Sequence, residues 1–120
     1  MKIIIPTNGN GLNSEICKSF GRAKNFLVVD LETSEFEVIE NTQNFQASQG
    51  AGIQSAQSAV KAGADTIITM HCGPKAYKVL LESGVKVYEG ADGTVDTNVN
   101  EYKKGTLSIM KCANAEGHWV

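Results

Sequence analysis

Asp65-Thr66-Ile67-Ile68-Thr69-Met70-His71-Cys72-Gly73-Pro74-Lys75-Ala76 is the stretch that decides how this chain reads. The β-branched run Thr66-Ile67-Ile68-Thr69 suits a buried strand. Gly73 permits a tight turn, and Pro74 suits the first position of a helix, where no amide donor is needed. A strand that turns straight into a helix puts His71 and Cys72 at a carboxyl edge of a sheet, where open α/β folds bind ligands. The adjacent helix dipole favours a thiolate or another anion there.

Working outward, Lys2-Ile3-Ile4-Ile5 reads as a short buried strand stopped by Pro6 and the turn-rich Asn8-Gly9-Asn10-Gly11. A helical turn capped by Asn13 or Ser14 is expected over residues 14–19. Residues 25–30 and the alternating residues 35–40 read as two strands of an antiparallel hairpin, the second half exposed. A polar loop over residues 41–49 leads through Gly50-Ala51-Gly52 into a helix over residues 53–62, closed by Gly63. Beyond the opening stretch, the pattern predicts a helix over residues 74–82 closed by Gly84, then a strand over residues 85–88. A last short helix falls within residues 92–102. The tail after Leu107 lacks a pattern and is expected to be loosely ordered.

The chain has 120 residues, enough for one domain with its own core. Hydrophobic residues make up 42% and charged residues 20%, as in ordinary globular domains. A formal charge of -2 argues against a general nucleic-acid binder. No apolar run approaches the roughly 20 residues that span a bilayer, and the amino terminus is too short an apolar stretch for a signal peptide; a cytoplasmic address is expected. Three cysteines, Cys17, Cys72 and Cys112, cannot all pair with one another and match no zinc-finger spacing. Each is therefore a reduced thiol, a ligand or a small buried hydrophobe.

Three segments, in order, carry a family resemblance: Ser19-Phe20-Gly21-Arg22-Ala23-Lys24-Asn25-Phe26, the Gly50-Ala51-Gly52 helix start, and Cys72-Gly73-Pro74-Lys75-Ala76 followed by Gly84-Val85-Lys86-Val87-Tyr88. Over residues 1–107 the chain resembles the dinitrogenase iron–molybdenum cofactor-binding family, the nitrogenase accessory-factor-like domains, with residues 108–120 as a carboxyl-terminal tail. The resemblance implies a three-layer α/β/α ribonuclease-H-like fold with a mixed five-stranded sheet, order 3-2-1-4-5, strand 2 antiparallel. It also implies a non-catalytic protein that binds or carries the iron–molybdenum cofactor, its precursor or a related iron–sulfur cluster, with a cluster-donor or acceptor protein as partner. Cys112 and His118 in the tail have no counterpart in that pattern.

A metal–sulfur cluster is soft, bulky and usually anionic. Thiolate and imidazole suit its metals, whereas guanidinium and backbone amides suit its sulfides. The candidate ligands are thus Cys72 and His71, with Arg22 as a fixed positive charge and the amides of Gly50, Ala51, Gly52 and Gly73 as an anion nest. Each also has a plainer reading: His71 as a loop histidine, Arg22 as an ion-pair partner of Glu15, the glycines as helix-entry residues. Central-strand carboxylates for a two-metal nuclease are lacking on Lys2-Ile3-Ile4-Ile5, and no nucleotide-binding or Gly-x-Ser-x-Gly motif is present. Two alternatives of other classes remain: a thiol-based redox enzyme or switch using Cys72 and His71, and an interaction domain that has lost the ligand.

Overall fold

Ile3, Ile4 and Ile5 are all fully buried. Ile4 joins one hydrophobic cluster and Ile3 and Ile5 join another, because successive strand side chains point to opposite faces. A strand with no polar face must lie inside a sheet covered on both sides. The computed structural model, which describes residues 1–41 and 51–111, shows this arrangement. β1 (Lys2–Thr7) pairs antiparallel with β2 (Asn25–Asp30) and parallel with β4 (Thr66–Thr69). Outside these lie β3 (Phe36–Glu40), antiparallel to β2, and β5 (Lys86–Glu89), parallel to β4. The order is β3-β2-β1-β4-β5, with β2 alone running against the rest, as the resemblance implied.

Helix α1 (Ala51–Lys61) and helix α2 (Pro74–Glu82) cover the Ile4 face through Ala56, Ala59, Ala76, Tyr77 and Leu80. Small side chains on α1 let its backbone come close to the sheet. Helix α3 (Val95–Lys104) covers the opposite face through Val95 and Val99. Gly63 and Gly84 leave α1 and α2 at φ 88° and 78°, a left-handed conformation that glycine adopts without a Cβ penalty. These helices agree with the sequence pattern to within a few residues.

Three local expectations need correction. β1 continues through Pro6 to Thr7 rather than stopping at the proline. The register with β4 ends at Ile4–Ile67, and beyond it the chain around Ile16 takes β4's place beside β1, with Cys17 donating to the Pro6 carbonyl at 2.8 Å. Residues 14–19 consequently form no helical turn. Their backbone groups are spent on neighbours: Ile16 donates to the Gly93 carbonyl at 2.9 Å, and Ser14 accepts from Val95 at 2.8 Å. A 3-10 turn (Phe20–Arg22) follows instead.

The start of the tail is also ordered. Glu89 donates to the Ser108 carbonyl at 2.9 Å, Met110 donates to Val87 at 2.7 Å, and the Tyr77 hydroxyl donates to Met110 at 2.8 Å. Residues 108–110 therefore cover the outer edge of β5. Residues 112–120, with Cys112 and His118, lie outside the described residues, as does the segment 42–50 with Gly50.

Packing is tight where β5 hands over to α3. A Cβ on Gly90 would stand 2.8 Å from Ile16 Cδ1, 3.0 Å from Asn98 Oδ1 and 3.2 Å from Ile68 Cγ2. Asn98 cannot retreat, since its buried amide donates to the Ala91 and Thr94 carbonyls and accepts from the Ala91 amide. Gly90→Ala is expected to lower stability by about 1–3 kcal/mol in urea unfolding, the usual cost of overpacking.

Candidate functional site

The carboxyl ends of β1, β3, β4 and β5 share one edge of the sheet, and the helices begin there. Residues 12–20 run along this edge as a strap. Thr7 bridges to Ile16, Glu15 to Thr94, and Ser19 to His71. Phe20 donates to the His71 carbonyl at 3.1 Å, and the Thr69 hydroxyl donates to the same oxygen at 3.3 Å. The strap thus ties the 3-10 turn directly to the residue after β4.

His71 and Cys72 part company at this bridge. Residue 71 pairs in strand fashion with Ser19, so consecutive side chains point in opposite directions. His71 is exposed, whereas Cys72 has no exposed surface and packs in the cluster of Phe20, Phe26, Ala76 and Tyr77. Burial pushes the Cys72 thiol up from 9.0 to about 12. The expectation of a solvent-facing thiolate at Cys72 is therefore corrected. A helix amino terminus offers at most about 2 kcal/mol of stabilisation to an anion, too little to offset the loss of water around a buried sulfur.

Arg22 ends the 3-10 turn, which packs against α1, and is half-buried. Asn41, almost fully buried, fixes this neighbourhood: its amide nitrogen donates to the Ala23 carbonyl at 2.8 Å and to Ser55 Oγ at 3.1 Å. One polar side chain thereby joins the end of β3, the residue after Arg22 and the second turn of α1. Gly52 lies buried in the first turn of α1, just after Ala51, the first helical residue. Arg22, the start of α1, His71 and Gly73 thus belong to neighbouring segments of one edge.

The helix starts differ in what they can still bind. At α3 the Thr94 hydroxyl accepts from Thr97, and the first amides, of Val95 and Asp96, donate to Ser14 and Leu12. At α2 the capping position is Gly73, in extended conformation, and no side chain caps the first turn. The first turn of α2, which begins with Pro74 and so lacks one amide, is left without a side-chain cap beside His71. Among the described residues no group of three His, Cys, Asp or Glu side chains could hold a metal ion.

Cys17 is the residue whose position the sequence did not disclose. It lies half-buried on the strap, its Sγ 3.4 Å from the Ser19 carbonyl, and packs against the cluster that holds Cys72. Only the long-range pairing of the strap brings it here.

These features define an α/β domain whose helices begin at the carboxyl edge of a mixed five-stranded sheet. The dinitrogenase iron–molybdenum cofactor family matches residues 1–105, and the chain belongs to that family. It is similar to the orange protein of Desulfovibrio gigas in its apo form, with 34% identity, TM-score 0.92, and coverage of 95% of this chain and 96% of that one. A Thermotoga protein described as of NifB type, in the DUF35 family, gives 33% identity, TM-score 0.84, and coverage of 97% and 98%. An uncharacterized protein of Methanocaldococcus jannaschii is 34% identical over 110 residues, covering 89% of each chain. No helix among the described residues is long and apolar enough to cross a membrane.

Two chemical consequences of the buried thiol are measurable. At mildly alkaline pH, iodoacetamide is expected to modify Cys17 before Cys72, with Cys72 on the order of a hundredfold slower than an ordinary thiol; peptide mass mapping checks the order. The folded state also retains the Cys72 proton up to about 12, while the unfolded chain releases it near 9.0. Its contribution to stability is complete below the lower value and is lost as pH rises through the higher. Cys72→Ala should flatten the alkaline decline in unfolding free energy.

Proposed function

We propose that this protein binds an intact, anionic metal–sulfur cluster of the iron–molybdenum cofactor class at the carboxyl edge of its sheet, and carries it without transforming it. The observation that carries the reading is the pairing of an exposed His71 and an uncapped helix start at Gly73 with the turn that bears Arg22. Family membership and the likeness to a protein known in an apo form support it.

Arg22 faces the sulfides or carboxylates of the cargo, and the imidazole of His71 donates to one of its metals. The amides at Ala51, Gly52 and Gly73 complete the surround. Micromolar binding requires about 8 kcal/mol. The helix starts contribute about 0.3–1 kcal/mol each and charge-assisted hydrogen bonds about 1.5–3 kcal/mol each, so the helix starts alone fall short and an imidazole–metal bond or several charge-assisted contacts must be added. Cys72 serves as packing in this conformation. A redox role for Cys72 with His71 is disfavoured by the same burial, because the thiolate is the reactive species. A donor or recipient protein for the cluster is part of the proposal.

Anaerobic loading with isolated iron–molybdenum cofactor, followed by gel filtration and elemental analysis, tests these roles. Arg22→Ala and His71→Ala should each weaken retention about tenfold or more, and Cys72→Ala should retain the wild-type metal content despite lower stability. Loss of metal in Cys72→Ala alone would overturn the assignment.

A further inference from the structure

The two edges of the sheet are treated differently. Residues 108–110 of the chain itself cover β5. β3, at the other end, has no strand beyond it among the described residues. At the ends of the β2–β3 ladder, Asp30 donates to the Glu35 carbonyl and Asn41 to the Lys24 carbonyl. Antiparallel pairs alternate between bonded and non-bonded. Glu37 and Ile39 therefore turn their backbone groups towards β2, and Phe36, Val38 and Glu40 turn theirs outward.

Two of the side chains on that outward register are apolar and open to solvent, Phe36 at 43% exposed and Val38 at 38%, and the third, Glu40, is an exposed carboxylate. Around them carboxylates predominate, although Lys2 and the amino terminus, which pairs with Glu32 at 3.8 Å, lie nearby. Asp30, Glu32, Glu35, Glu37 and Glu40 lie within residues 25–40, a stretch with no lysine or arginine, in a chain whose total charge is only -2. At the amino end of the edge, Asp30, Glu35 and Glu37 line a hollow of about 180 Å³ with Phe36, Val28 and a single lysine, Lys2.

We infer that the outer edge of β3 is a docking strand for a partner protein that presents an extended segment alternating basic and apolar residues. Such a segment would meet the outward N–H and C=O groups of Phe36 and Val38 as an added strand. Its apolar side chains would lie on Phe36 and Val38, and its lysine or arginine heads on the carboxylates. A second copy of this chain fits poorly, because it would bring an equally acidic hairpin to the same edge. The inference does not depend on the cargo at the carboxyl edge.

Backbone hydrogen exchange of the full chain tests it, with a short synthetic peptide alternating lysine and valine as the probe. A control peptide has the same charge but carries prolines that prevent strand addition. The expected result is slowed exchange at the Phe36 and Val38 amides with the first peptide and not with the second. The exposed double substitution Glu37→Lys with Glu40→Lys should weaken that binding about tenfold while leaving the circular dichroism spectrum unchanged. Equal effects from both peptides, protection away from β3, absence of protection, or self-association through β3 in sedimentation would each overturn the proposal. The two-peptide comparison on the wild-type chain decides it even if the double variant fails to fold.

Discussion

Where β1 parts from β4, backbone donors and acceptors of a fully buried strand lose their neighbour and must find another. The strap of residues 12–20 supplies it, taking the Pro6 carbonyl on one side and the His71 carbonyl on the other. An unpaired buried backbone group costs about as much as a lost hydrogen bond, so this closure is obligatory. It fixes the direction in which His71 points, the position of the Phe20–Arg22 turn, and the Gly93–Thr94 loop that meets the strap. It also uses up the amino terminus of α3. The candidate site is what the closure leaves over, namely the uncapped start of α2 and the side chains beside it.

The same pairing explains the separation of two adjacent residues with similar metal-binding chemistry. Strand alternation at the Ser19–His71 bridge forces one side chain outward and the next inward. The imidazole takes the wet side, and the thiol fills a gap beside Phe20 and Phe26, whose rings stack at 5.2 Å. Cysteine tolerates this because a neutral thiol behaves as a small hydrophobe.

Local patterning made much of the fold legible. The isoleucine run, the hairpin and the two helix starts marked by glycine and proline are each encoded within a few residues, and the sheet order followed from the family likeness. What stayed hidden depends on contacts distant in sequence. Nothing in Ser14-Glu15-Ile16-Cys17-Lys18-Ser19 announces that it will leave a helical path to bond with Pro6, Gly93 and Val95. Residues 108–110 look patternless because their partners are Val87 and Glu89. At the site, the position of Arg22 near the start of α1 could be anticipated, whereas the inward turn of Cys72 could not. Residue type gives a ligand's chemistry, but its direction comes from a bridge to a segment some fifty residues earlier.

A carrier's chemistry limits how many metal bonds it should make. Each additional thiolate would slow release, since affinity among related sites changes mostly through dissociation. On the proposed reading, His71, Arg22 and a few amides would hold an anionic cargo by interactions a competing site can displace singly. A buried Cys72 would suit that role, because the soft ligand with the strongest hold is kept off the cargo's path. The acidic hairpin turn over residues 30–35 lies at the opposite end of the sheet, whereas Glu40 ends β3 at the carboxyl edge itself.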